Sequence, residues 1–215
     1  MSEIFSEIST FLQQGRAPKV RELVMQALEN GLQPQEILEN GLLSGMSIVG
    51  EKFKRNEVFV PEVLIAARAM NAGIDLLRPY LISAGVSTKG TVVIGTVKGD
   101  QHDIGKNIVK MMLEGKGIEV IDLGVDVAAE TFVEKAQECN ADAICCSALL
   151  TTTMGEMKNV VKKAEESGIR DRVKIMIGGA PVTQNFCDSI GADYYTSDAA
   201  TASDVALKIC LGEPV

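Results

Sequence analysis

Long apolar runs are missing from this chain. Nowhere in its 215 residues is there the ~18-residue apolar stretch that a membrane-spanning helix needs. Its start, Met1 to Gly15, carries Glu3 and Glu7 where a secretory leader carries lysines, so the expected location is the cytoplasm. A basic stripe is missing too. The net charge is −8, with 9 Lys+Arg against 10 Asp+Glu in residues 1–90 and 12 against 19 in residues 91–215, a poor balance for nucleic acid. The five cysteines, Cys139, Cys145, Cys146, Cys187 and Cys210, form no CxxC pair, and their odd number argues against a disulfide framework. They read as small buried hydrophobes in a reducing compartment. Nucleotide signatures also fail: five residues separate Gly99 from Gly105 where a Walker loop has four, Asn107 replaces the magnesium-binding hydroxyl, and no GxGxxG follows the first predicted strand.

Histidine is the scarcest titratable residue, and the single one is placed informatively. Asp100-Gln101-His102-Asp103-Ile104-Gly105 follows the apolar run Val92 to Val97. An imidazole at the carboxyl end of a strand can offer one nitrogen to a metal while Asp100 accepts the proton on the other, fixing tautomer and ring direction. Gly105 is expected to let the backbone turn tightly there.

With 46% apolar residues and a positive mean hydropathy the chain is expected to fold throughout. It divides near Gly85 to Gly90 into residues 1–88 and 89–215. The first part reads as helix only: one helix through Phe5, Ile8, Phe11 and Leu12, a second after Pro18, a third from Pro34 to Phe53, and a fourth opened by Pro61. Short connections between them predict an antiparallel four-helix bundle. In the second part apolar runs at 92–97, 118–123, 143–147, 173–177 and 192–195 alternate with helical stretches near 105–116, 129–139, 154–167, 184–190 and 202–211. That alternation predicts an α/β domain with a doubly wound, five-stranded parallel sheet of flavodoxin-like order.

In such a sheet ligands sit beyond the carboxyl ends of the strands. The Asp100–Gly105 loop falls there, as do Ser147 to Thr153, Gly178-Gly179-Ala180-Pro181, and Thr196 to Ala200. Each has a plainer reading. His102 could be a surface residue, Asp103 a helix cap, Ser147 and Thr151 to Thr153 helix-start residues, and Gly178-Gly179 an ordinary turn. Their convergence on one edge favours a common site.

The sequence resembles a cobalamin-binding module carrying D-x-H-x-x-G, S-x-L and G-G. Here these are Asp100/His102/Gly105, Ser147/Leu149 and Gly178/Gly179, with 41 residues (106–146) and 28 residues (150–177) between them. Val49-Gly50-Glu51-Lys52-Phe53 and Phe59-Val60-Pro61-Glu62-Val63 resemble the helical cap of methionine synthase and of the corrinoid proteins serving methanol, methylamine and betaine methyltransferases. The resemblance implies a cobalamin bound base-off and His-on, with His102 the cobalt ligand and the displaced base in a slot between the strands leading to Ser147 and Gly178. A relay of His102, Asp100 and Thr153 is implied, threonine standing where methionine synthase has serine. Gly99, Asp100, Gln101, His102 and Asp103 would underlie the corrin, with Ile104 and Gly105 completing the loop. Ser147 and Thr151 would contact the nucleotide tail, Leu149, Gly178 and Gly179 would complete the cofactor site and Ala199 would meet the corrin edge, while Phe53 and Val60 of the cap would shield the upper methyl and Glu39 would touch the cofactor.

The function this implies is a corrinoid carrier rather than an enzyme catalytic alone. It accepts a methyl group on Co(I) from one methyltransferase, yields it to a second, and needs a reductive activator. A 215-residue chain has no room for a substrate-holding barrel of ~250 residues beside the two modules. The alternatives are a corrinoid-binding mutase subunit and a corrinoid-dependent sensor.

Overall fold

The computed structural model describes residues 2–84 and 88–215, so Gly85, Val86 and Ser87 of the expected linker lie outside the described residues. The chain divides into two compact units, residues 1–88 with 115–117, and residues 89–114 with 118–215.

The first unit is helical. Helix α1 (Ser2–Gln13) ends where Gly15 takes a left-handed φ of 70°, and α2 (Ala17–Glu29) starts with Pro18 in its first turn. The third stretch departs from the single regular helix that the spacing predicts. It is made of α3 (Pro34–Glu36), a π-helical segment (Ile37–Leu43) and α4 (Ser44–Lys54). The Ser44 N–H donates to Glu39 O, five residues back. The extra residue in that turn rephases the helix, so Ile37 and Leu42 face the core and Leu38 is only half-buried. Helix α5 (Val60–Ser83) begins where Glu62 accepts the Phe59 N–H at 3.0 Å. Ile8, Leu12, Val20, Leu23, Leu42, Met46, Met70 and Leu77 fill the interior between the helices. Helices α1 and α4 touch at Gly45, where a Cβ would come within 3.0 Å of Ser9 Cα.

The second unit alternates strand and helix: β1 (Thr91–Thr96), α6 (Ile104–Glu114), β2 (Glu119–Asp122), α7 (Ala129–Glu138), β3 (Ala143–Ser147), α8 (Gly155–Glu166), β4 (Lys174–Gly178), α9 (Gln184–Ile190), β5 (Tyr194–Tyr195) and α10 (Ala199–Leu211). All strand pairs are parallel, in the order β2-β1-β3-β4-β5. The period-2 side-chain alternation sorts each strand between two cores. Val93, Ile144, Cys146, Ile175 and Ile177 pack with Phe132 and Val133 of α7, Met157 and Val160 of α8, and Cys187 of α9. Val92, Ile94, Ala143, Cys145 and Met176 pack with Leu113 of α6 and Ala202 and Ala206 of α10.

Helix α10 begins three residues earlier than its apolar spacing predicts. The Asp198 side chain caps it, accepting the Thr201 N–H and hydroxyl at 2.8 Å each, which brings Ala199 and Ala200 into its first turn. The chain leaves β1 for the edge strand β2, then returns to the other side of β1 as β3. The switch point of the sheet is therefore the crevice between the carboxyl ends of β1 and β3.

Candidate functional site at the carboxyl edge of the sheet

Strand β1 ends in a tight turn. The Val97 N–H donates to Ser147 O at 3.0 Å, Gly99 takes φ 79°, and the Asp100 N–H closes the turn on Val97 O at 3.1 Å. Asp100 then points into the crevice with no exposed surface.

Every side of its carboxylate is occupied. Oδ1 accepts from the His102 ring Nδ1 at 2.7 Å and from the His102 backbone N–H at 3.1 Å. Oδ2 accepts from the Leu149 N–H at 2.8 Å, the Leu150 N–H at 3.1 Å and the Thr153 hydroxyl at 2.8 Å. One aspartate thus stitches the loop after β1 to the loop after β3 across the switch point. Burial by itself pushes the Asp100 pKa up, but the bonds from His102, Leu150 and Leu149 outweigh it and hold the carboxyl well below the usual range. The group is a permanent anion at neutral pH, fully hydrogen-bonded, which is the condition under which a buried charge is tolerated.

This anion fixes the imidazole. Facing an ionised carboxylate, Nδ1 must carry a proton and donate it to Asp100, so in the neutral ring Nε2, on the opposite edge, is the nitrogen with the lone pair. The His102 side chain is 50% exposed. Its backbone is tied as well, since the buried Thr96 hydroxyl donates to His102 O at 2.9 Å. The loops after β1 and β3 also expose large apolar side chains: Ile104 is 72% exposed, Leu149 45% and Leu150 41%.

The other expected site residues are distributed as follows. Gln101 and Asp103 are exposed, and Asp103 accepts from the Asn107 amide at 3.0 Å at the start of α6. Ser147 ends β3 opposite Gly178 of β4, Thr151 is exposed in the turn before α8, and Thr153 is buried. The Thr153 hydroxyl has one proton and two acceptors in reach, Asp100 Oδ2 and Leu150 O at 2.9 Å. Ala199 is buried at the head of α10. In the helical unit, Glu39 sits exposed in the π segment, bonded by Gln35 at 3.0 Å, and Phe53 and Val60 are half-buried.

The glycines separate by cause. Gly105 does not make the tight turn expected of it: it lies in the first turn of α6 without a positive φ, and Gly99 makes the turn instead. A Cβ on Gly105 would meet nothing within 4 Å, so open space stands over it. Gly179, at φ 133°, is required by the chain itself, because a Cβ there would lie 1.9 Å from Ala148 O. At Gly178 an added Cβ would make only an ordinary contact, 3.6 Å from Thr196 O.

Four residues of this edge, Lys106, Lys110, Asp122 and Asp126, escaped the sequence reading. Lys106 is buried and binds Asp122 and Asn107, both at 2.7 Å, while Lys110 joins Asp122 at 3.3 Å. Asp126, at φ 56°, accepts the Gly99 N–H at 2.7 Å and donates its own N–H to Asp100 O at 3.0 Å. The available signal was positional: Asp122 and Gly124-Val125-Asp126 close the second predicted strand at the same edge as His102.

The donor set fits a metal that arrives with its own ligands. His102 supplies one nitrogen, the Asp100 oxygens are consumed by the chain, and among the described residues no cluster of three or more His, Cys, Asp or Glu can hold an ion. A metal held in its own macrocycle would meet that requirement, and the exposed Ile104, Leu149 and Leu150 and the open space at Gly105 are compatible with an apolar, bulky guest.

Comparison with known proteins agrees. Two families, each described as a B12 binding domain, match residues 4–78 and 90–207. The chain is 46% identical over 213 residues to the dimethylamine corrinoid protein 2 of Methanosarcina acetivorans, covering 98% of each. It is 50% identical over 184 residues to the trimethylamine corrinoid protein 2 of the same organism, covering 85% of each. Among solved structures, the methanol:cobalamin methyltransferase complex MtaBC from Methanosarcina barkeri contains a chain that superposes with a TM-score of 0.88 at 34% identity, covering 98% of this chain and 80% of that one. A five-stranded parallel sheet whose switch point presents one oriented imidazole among exposed apolar side chains, joined to a helical unit that matches separately, makes this chain a member of the B12-binding corrinoid protein family.

Proposed function

We propose that the protein carries a corrinoid whose metal His102 would ligate and shuttles methyl groups between a methyltransferase that takes them from a methylated amine and a second that consumes them. The observation that carries this reading is the 2.7 Å contact between Asp100 and His102 Nδ1, which leaves Nε2 presented on a half-exposed ring. The methylated-amine assignment rests on relatives named for dimethylamine and trimethylamine. Bound at this edge, the corrinoid supplies the nucleophilic metal centre that takes up and yields the methyl group.

The chain's own part is to set the ligand. Asp100 holds the proton on Nδ1, so Nε2 meets the metal as a neutral donor. With a corrinoid bound, the ionised Asp100 would stay paired with Nδ1 and would offset positive charge developing on the ring. Thr153 donates to the same carboxylate and keeps it aimed at the ring. Leu149 and Leu150 serve twice, their amides fixing Asp100 and their side chains offering an apolar seat. Gly99, Gln101, Asp103, Ile104 and Gly105 are assigned to the corrin's lower side. Ser147, Thr151, Gly178 and Gly179 are assigned to its nucleotide tail and Ala199 to its edge; Phe53, Val60 and Glu39 go to the cap side by motif resemblance.

A reductive activator is the remaining partner, since a nucleophilic metal that is accidentally oxidised must be rescued. The cytoplasm is the compartment that suits the five free thiols, and among the described residues no helix is long and apolar enough to cross a membrane.

The test is His102→Ala in the full chain, loaded with hydroxocobalamin and supplied with dimethylamine or trimethylamine and their methyltransferases. The expected variant has an altered visible spectrum and slower demethylation than wild type, while methanol with its own methyltransferase fails to methylate wild type. Unchanged spectra and rates in the variant would remove His102 from the metal. Efficient methylation from methanol alone would overturn the amine assignment.

A further inference from the structure

We infer that Asp126, outside all three motifs, is a positioning residue for His102, clamping the Gly99–Asp100 peptide from the loop between β2 and α7. This inference rests on the reading of His102 as a metal ligand, but the ring-orienting part can be tested without cofactor. Gly99, at φ 79°, is the most permissive joint in the loop that carries Asp100 and His102. Asp126 seizes that joint at both ends. Its Oδ1 accepts the Gly99 N–H at 2.7 Å, and its backbone N–H donates to Asp100 O at 3.0 Å. With the Asp100 N–H already bound to Val97 O, the backbone of Asp100 is fixed on both sides, and so is the direction in which its carboxylate meets Nδ1.

Asp126 itself occupies the left-handed region, where a side chain other than glycine, asparagine or aspartate is strained. Its next residue, Val127, bridges Val97 and donates to Thr96 O, so the clamp is anchored to β1 rather than swinging free. Thr96 in turn donates to His102 O. The histidine loop is thereby held from the β2–α7 side as well as from the β3 side.

The chain has one histidine, so 15N-histidine labelling reports His102 alone. Asp126→Asn keeps an acceptor oxygen and tolerates φ 56°, Asp126→Gly tolerates that φ and deletes the acceptor, and Asp126→Ala deletes the acceptor and is strained at that φ. In the cofactor-free protein, long-range 1H–15N spectra of wild type and Asp126→Asn should show one Nδ1–H tautomer. Asp126→Gly should show mixed tautomers and an Nδ1 proton exchanging about fivefold faster, with hydroxocobalamin half-saturation raised about fivefold to tenfold. Should Asp126→Ala fail to fold, the Asn and Gly variants still decide. An Asp126→Gly protein matching wild type in ring spectrum and half-saturation overturns the positioning role while leaving the corrinoid reading intact. Altered ring spectra in a protein whose wild type takes up no cobalamin would do the reverse.

Discussion

Replacing Gly105 by alanine should move stability and cofactor binding in opposite directions. Gly105 lies in the first turn of α6 without a positive φ, and the added methyl would meet no protein atom within 4 Å. For the cofactor-free chain the substitution should therefore be neutral to favourable, restricting the unfolded backbone by about 0.5–1 kcal/mol. In a protein of this size that raises the melting temperature by about 1–4 °C. If a corrin lies over that turn, the same methyl enters its contact surface, and overpacking costs about 1–3 kcal/mol, or about fivefold to 150-fold in affinity. Thermal unfolding followed by circular dichroism in the absence of cofactor reads the first number, and equilibrium dialysis with hydroxocobalamin reads the second. A variant that is more stable and binds as tightly as wild type would show that the space over Gly105 is not where the macrocycle sits. Gly179→Ala supplies the contrast. Its methyl would collide with Ala148 O at 1.9 Å at a φ of 133°, so it should cost about 3 kcal/mol or more with no cofactor present.

Asp100→Asn keeps shape and removes the charge. Its amide oxygen is expected to face the Leu149 and Leu150 amides, turning the NH2 toward His102 and driving the ring proton from Nδ1 to Nε2. The ring 15N shifts should invert and cobalamin affinity should fall at least about tenfold; an unchanged tautomer would refute the assignment of Asp100 as the orienting anion. At Asp122, burial raises the pKa, yet the Lys106 ion pair, the Gly124 N–H and Lys110 outweigh it and hold the carboxyl below its ordinary value. A depressed folded-state pKa gives stability that is present above about pH 4 and lost as the pH falls further. Asp122→Asn should accordingly lose about 1–2 kcal/mol in urea unfolding at pH 7, with the gap to wild type closing toward pH 3; a constant gap would remove the ion pair as its cause.

The central strands β1, β3 and β4 were legible because burial on both faces leaves largely apolar runs, the half-buried edge strands β2 and β5 because short apolar stretches still recur between helices, and helices α6 to α9 were placed within a residue or two by their helical apolar spacing. The start of α10 was not, since Thr196 to Ala200 carries no periodicity and its boundary is set by the Asp198 cap. The π segment was hidden more deeply. Its residues still fit a regular helical spacing, and the extra residue shows only in which of Ile37 and Leu38 reaches the core. At the site, the histidine and its aspartate could be read from their place after the first strand, while the Thr153 hydroxyl was singled out only by the family resemblance. The Leu149 and Leu150 amides could not, because backbone donors leave no mark in a sequence. Asp126 was obscured by distance, sitting 24 residues after His102 with nothing in the intervening helix to announce a contact.

The saturation of Asp100 governs the order of events in the cell. Since the chain's own amides, hydroxyl and ring supply each of its partners, the proposed seat for the vitamin would be assembled before any vitamin arrives. On that reading loading would be a docking event on a finished α/β domain rather than a folding step that awaits its prosthetic group, and a depleted molecule would be refilled without first being unmade.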